Sequence, residues 1–202
     1  MTEPSKVIEQ ARRRREIALA GHAGDHATAR AALDDPTPDA RATALGALER
    51  AGGLSDEELR AALADPDAGV RRRACELAAR HRQVDLVPLL ADDDATVVEA
   101  AAWALGEQED DDHATVDAVA TVARTHADPL CREAAVAALG AIGSPRGLPA
   151  ILAATEDKPA IRRRAVLALA PFEGDEVDAA LQRALADRDW QVRQAAEDLT
   201  RD

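Results

Sequence analysis

Asp128-Pro129-Leu130-Cys131-Arg132-Glu133-Ala134-Ala135-Val136-Ala137-Ala138-Leu139 decides how the rest of the chain is read. It opens as a helix start: aspartate caps the free amides of a first turn, and proline fits there because those amides have no intrahelical partner. Apolar residues then fall at Cys131, Ala135, Ala138 and Leu139, that is at 0, +4, +7 and +8, the spacing of one helical face. The same stretch is written six times. Anchored on Ala40, Val70, Val97, Cys131, Ile161 and Val192, the copies stand 30, 27, 34, 30 and 31 residues apart. Position +4 is alanine in all six: Ala44, Ala74, Ala101, Ala135, Ala165 and Ala196. Position +1 is arginine in five, Arg41, Arg71, Arg132, Arg162 and Arg193, with Val98 the exception.

Self-similarity at this period predicts a stacked-repeat solenoid, whose units bury their apolar faces against neighbours because one unit cannot form a core alone. The invariant alanine marks where helices cross, since only a small side chain lets two backbones approach closely. Acidic turns precede the anchors, as in Asp65-Pro66-Asp67, Asp92-Asp93-Asp94 and Asp187-Arg188-Asp189, and start the second helix of each pair. First helices start at the capping box Ser55-Asp56-Glu57-Glu58, at Ser144-Pro145 and at Asp175-Glu176. Gly106 and Gly140 are expected as helix stop signals. An extra helix from about Ser5 to Ala20 suits the N-terminal cap of the stack. The expected organisation is a capping helix over residues 1–22 and one repeat solenoid over 23–202.

Asp-Pro, then Val-Arg, then alanine three residues on and Ala-Leu after it resembles the short HEAT-like repeats of the phycobilisome-lyase type, over about residues 25–202. The resemblance implies an all-α, right-handed α-solenoid of about six helical hairpins. It also implies that the Val-Arg helix lines the concave side and that its arginine pairs with acidic groups of the adjacent turn. That role falls to Arg41, Arg71, Arg132, Arg162 and Arg193, with Asp35, Asp65 and Asp187 among their partners.

Composition narrows the function. The formal charge of -13 disfavours nucleic acid and anionic membrane as partners, because phosphates would be repelled. Tyrosine is absent, and two Trp and one Phe leave few platforms for base stacking. Only Lys6 and Lys158 are lysine, and aspartate exceeds glutamate by 23 to 15, which resembles the acidic proteins of salt-loving microbes, halophilic archaea among them. No apolar run approaches the roughly 18 residues of a membrane span, and Met1 to Gln10 has no apolar signal core, so a cytoplasmic location is expected. Cys75 and Cys131 read as buried small hydrophobes.

If 0, +4, +7 and +8 face the core, then +2, +6 and +9 face outward, since each residue advances about 100° around the axis. At +6, copies three to five carry Trp103, Ala137 and Leu167, an apolar strip where a solvated face would carry charge. Tryptophan is also enriched in binding hot spots. Either this ring stands outward as a binding residue or it folds back over its neighbours. Arg72, Arg73, Arg163 and Arg164 flank the strip, so the expected partner is a protein or peptide with an apolar centre and acidic ends. Arg12 to Arg15 form a second basic cluster, read as a solvated cap; Trp190 reads as capping the last pair and Phe172 as core.

Two enzyme types share such repeats. The hydroxylase that modifies a translation factor holds two irons on His-Glu pairs, and no such pair occurs here. Bilin lyases use HEAT-like repeats, usually in two-subunit assemblies. The acidic stretch Glu107 to His113 lacks the glycine and ligand spacing of a calcium loop. The sequence reading is therefore a non-catalytic binding scaffold without metal or cofactor, and its runner-up a subunit or regulator of an enzyme complex.

Overall fold

The computed structural model describes residues 3–201, and among these every regular element is helical. The helices gather into two compact units, residues 1–85 and 86–202. No helix among the described residues is long and apolar enough to cross a membrane.

The first unit holds α1 (Glu3–Ala23), α2 (His26–Ala31), α3 (Pro38–Arg50), α4 (Asp56–Leu63) and α5 (Ala68–Ala78). Ser55 and Glu58 form the expected capping box at the start of α4, each side chain bonded to the other's backbone amide. Ile17 of α1 packs with Ala29, Ala32, Ala40, Ala44, Ala47 and Leu48 in one apolar cluster.

The second unit holds α6 (Ala95–Gln108), α7 (His113–Thr125), α8 (Pro129–Ile142), α9 (Leu148–Ala154), α10 (Pro159–Ala168), α11 (Asp175–Leu185) and α12 (Trp190–Leu199). The anchored helices are thus α3, α5, α6, α8, α10 and α12. All six +4 alanines are fully buried, as a crossing point requires. The third copy departs from the helix-turn-helix expectation: its first helix is reduced to a 3-10 turn over Val87–Ala91. Its anchor follows the previous one by only 27 residues, the shortest spacing of the set, too few for a second full helix and its turns.

Gly106 and Gly140 do not stop their helices. α6 runs on to Gln108 and is capped by Glu109, in the left-handed region at φ 50°, and α8 runs on to Ile142 and is capped by Gly143, at φ 67°. The two glycines lie inside helices because the next helix touches them there. A Cβ on Gly106 would stand 2.8 Å from Ala138 Cα, and one on Gly140 2.7 Å from Ala168 Cα. Both alanines are the +7 residue of the following copy. Gly21 of α1 meets Ala47 in the same way at 2.7 Å, and Ala47 is the +7 residue of the first copy. In copies three and four position +9 is therefore a packing position, which corrects the outward role expected of Gly106 and Gly140, whereas Ala170 and Arg201 at +9 of the last two copies are exposed.

The turns before the anchored helices use two positions for two tasks. The later one caps the helix: Asp67, Asp94, Asp128 and Asp189 accept from amides of the first turn. The earlier one receives the arginine of the preceding copy. Arg41 grips both carboxylate oxygens of Asp65 at 2.8 and 2.7 Å. Arg132 does the same to Asp157 at 2.8 and 3.0 Å, and Arg162 to Asp187 at 2.8 and 2.7 Å. Each arginine also donates back to a carbonyl of its own turn: Asp35, His126 or Asp157. These bidentate pairs tie one repeat to the next. Asp35 takes its arginine from α1, since Arg13 Nε donates to it at 3.2 Å. Arg13 and Gly21 thus take the places that +1 and +9 hold in the later copies, although Arg12, Glu16 and Leu19, at 0, +4 and +7 of that register, are exposed.

Candidate functional site

Within the second unit, α6 and α8 pack side by side and leave a solvent-facing groove of about 550 Å³. α8 supplies its floor. Leu130, Ala134, Ala137 and Ala141 follow one another at 4, 3 and 4 residues, so they share one face of the helix, beside the buried Cys131, Ala135, Ala138 and Leu139, of which Ala138 also lines the groove. α6 supplies the wall with Trp103, a residue 46% exposed. The tryptophan therefore stands outward and does not fold back. Leu130 is 56% exposed at the start of the stripe.

The charged rim is mostly acidic. Glu99, Trp103 and Glu107 stand at i, i+4 and i+8 on one face of α6, and Glu133 faces them from α8. Arg164 of α10 lies 3.6 Å from Glu133 and is the basic residue of the rim. Three carboxylates against one guanidinium reverse the charge that the neighbouring arginines led one to expect.

Of the expected site residues, the structure brings together Trp103, Ala137 and Arg164. Leu167, half-buried on α10, packs against the apolar cluster of Val166, Ala184, Val192, Ala195 and Ala196, so much of its side chain is engaged in the core. Arg163 is exposed. Arg72 and Arg73 belong to the first unit, where both approach Glu76, at 3.8 and 2.8 Å, and Arg73 also lies over Gly46. Leu130, Ala134 and Ala141 were missed because a single position, +6, was followed. The signal was present: an apolar residue at each step of a second stripe on α8.

Other candidates have structural roles. Cys131 is buried, its thiol bonded to the Ala95 carbonyl at 3.2 Å, and burial with the nearby Asp128 and Glu99 charges pushes its pKa up to about 11. At neutral pH it is an inert thiol. Within the acidic stretch, Asp112 caps α7 and no group of three metal-ligating side chains occurs among the described residues. Of the basic cluster on α1, Arg13 and Arg14 are ion-paired with Asp35 and Asp39. Trp190 opens α12 with 65% of its surface exposed, so it covers little of the last pair, and Phe172 is half-buried after α10.

Comparison with known proteins agrees with this architecture. A designed armadillo repeat protein, solved with the peptide (KR)4, is 17% identical over 86% of this chain and 97% of its own, with a TM-score of 0.65. An engineered protein from a structural-genomics consortium is 19% identical over 88% and 95%, with a TM-score of 0.61. Human deoxyhypusine hydroxylase, solved with glycerol, is 20% identical over 93% and 77%, with a TM-score of 0.50. At these identities the likeness is one of fold. No curated protein matches the sequence. A HEAT-repeat family model matches residues 83–170 and again 116–199, which together cover more than half of the 202 residues, and the chain belongs to the HEAT-repeat proteins, an all-helical α-solenoid family.

Proposed function

We propose that this protein is a non-catalytic protein-binding scaffold that receives its partner in the groove between α6 and α8. One observation carries the reading: Trp103 is 46% exposed beside an apolar stripe, on helices whose other faces are fully used in packing. Tryptophan held half in solvent by rigid neighbours offers a large contact area with little entropy left to lose on binding, which is why it dominates hot spots. Repeat folds present extended surfaces of this kind to other proteins, and the designed armadillo neighbour holds a peptide. Leu167 and Arg163 extend the same side of α10 and are proposed as peripheral contacts. The rim charges favour basic flanks on the partner over acidic ones.

Affinity capture from native lysate with wild type, Trp103→Ala and Trp190→Ala tests the reading, paired with thermal melts of all three. Loss of a partner in Trp103→Ala alone, with folding intact, supports it. Retention of every partner, or loss only through unfolding, overturns it. A stoichiometric enzyme partner would make the chain a subunit or regulator of that enzyme.

A further inference from the structure

We infer that the groove takes a cationic side chain, an arginine or lysine from a basic segment of the partner, laid on the Trp103 indole between Glu99, Glu107 and Glu133. This rests on the groove being a protein-binding surface and specifies what binds there.

The row Glu99-Trp103-Glu107 is the core of the argument. At 1.5 Å per residue, the two glutamates start about 6 Å above and below the tryptophan on the same helix face. The face of an indole carries negative charge density and attracts a cation lying within about 6 Å of its centre, more strongly than any other side chain ring. Carboxylates on both sides add direct attraction, and Glu133 adds a third from α8. Arg164 offsets one of the three at most, and at 3.6 Å from Glu133 with 40% of its side chain exposed it leaves the Glu-Trp-Glu row unneutralised.

The shape of the floor points to the same occupant. Alanines at 134, 137 and 141 leave an open apolar trough under a charged rim, suited to the aliphatic stem of lysine or arginine, which buries its methylenes and keeps its head polar. An acidic partner would meet three carboxylates. The protein's net charge of -13 would also speed the approach of a basic segment.

The test uses the full-length protein and three fluorescein-labelled synthetic peptides: alternating Arg and Leu, the same with Glu in place of Arg, and the same with Gln. Fluorescence anisotropy should show the Arg peptide binding most tightly. Trp103→Ala should weaken it about tenfold, equivalent to about 1.4 kcal/mol. The triple variant Glu99→Gln, Glu107→Gln, Glu133→Gln should weaken it at least tenfold. A control triple on exposed glutamates outside the groove, Glu156→Gln, Glu173→Gln, Glu197→Gln, removes the same charge and should change affinity less than threefold. Equal losses in the two triples would mean diffuse attraction to an acidic protein and overturn the proposal, as would an Arg peptide that does not bind or is indifferent to Trp103→Ala. Trp103-dependent binding of the Glu or Gln peptide, at equal or higher affinity, would overturn the cationic specificity while leaving the groove a protein-binding surface.

Discussion

Replacing glycine by alanine inside a helix ordinarily stabilises by up to about 1 kcal/mol, because alanine has less backbone freedom to lose. The two glycines Gly46 and Gly140 should nevertheless respond with opposite signs. At Gly140 the new methyl would stand 2.7 Å from both Cα and Cβ of Ala168 and 3.2 Å from its carbonyl oxygen. Ordinary contact begins near 3.4 Å, and two of the three obstacles are backbone atoms, so α8 and α10 must separate by several tenths of an ångström along their whole contact. Overpacking of this kind costs about 1–3 kcal/mol, and a rigid backbone obstacle belongs in the upper half of that range. Net of the propensity gain, Gly140→Ala should lose roughly 1–2 kcal/mol. At Gly46 the nearest atom, 2.9 Å away, is the far end of the Arg73 side chain, which can swing aside. Gly46→Ala should be neutral or stabilise by up to about 1 kcal/mol. Urea melts followed by far-UV circular dichroism measure both, with midpoints compared at unchanged slope. If Gly140→Ala stabilises as much as Gly46→Ala, the close approach of α8 and α10 is not a constraint and the assignment of Gly140 to packing fails.

Replacing Ala135 by Leu should cost about 1–3 kcal/mol while Ala137→Leu costs far less, and equal losses in denaturant melts would refute the division of α8 into core and groove faces. The halophile reading predicts that the melting temperature climbs between 0.01 M and 1 M potassium chloride, as the Debye length falls from about 30 Å to about 3 Å and self-repulsion is screened; a flat profile refutes it. For pH, burial would lower the pKa of His81, but Asp56 at 2.7 Å and Glu49 at 3.1 Å outweigh it and hold the folded value above the ordinary 6.5. A raised folded pKa contributes stability that is full below 6.5 and is lost as pH rises through the folded value, so the melting temperature should fall on the alkaline side in wild type and less so in His81→Gln. Asp157 and Asp187 have the opposite sign: hydrogen bonds from Arg132 and Arg162 hold their pKa below the ordinary 3.8, so their contribution is present above 3.8 and lost in acid. Arg132→Ala should remove the acid-side loss due to Asp157, measured as a smaller drop in melting temperature below pH 3.8.

The sequence showed most plainly what recurs. Six buried alanines, the acidic caps and the Arg-Asp pairs are legible because each position is written several times at one period, and each copy checks the others. What occurs once was harder to see. The partial likeness of α1 to the repeat is one case: it lacks the +4 alanine, and only the pairing of Arg13 with Asp35 and the fit of Gly21 against Ala47 reveal it. The glycines at 106 and 140 looked like helix stops because glycine at a helix end and glycine at a close crossing leave the same letter near the same place. The groove was half legible. Helix geometry put Trp103 and Ala137 outward, but the charge around them depends on which glutamates the next helix brings across, and Glu133 is placed by the packing of α6 on α8.

The third copy is where the repeat is broken most often. Its first helix has shrunk to a 3-10 turn, its +1 residue is the buried Val98 where the others have arginine, and its +6 residue is Trp103. The loss of the arginine is compensated within the following turn. At the place where Asp65, Asp157 and Asp187 receive an arginine stands His126, which keeps the local bond by accepting from the Asp128 amide at 3.1 Å but adds no carboxylate in need of a partner. Arginine and aspartate have been given up together, so no charge is stranded beside the core. A compensated loss of this kind keeps the repeat intact, whereas a tryptophan 46% exposed between two glutamates leaves nearly half of its surface unused by packing. Departures from a local rule that bring no gain in packing are the ones to assign to function. By that criterion Val98 and His126 are repairs of the scaffold, and the Glu99-Trp103-Glu107 row is the departure to test as the proposed binding surface.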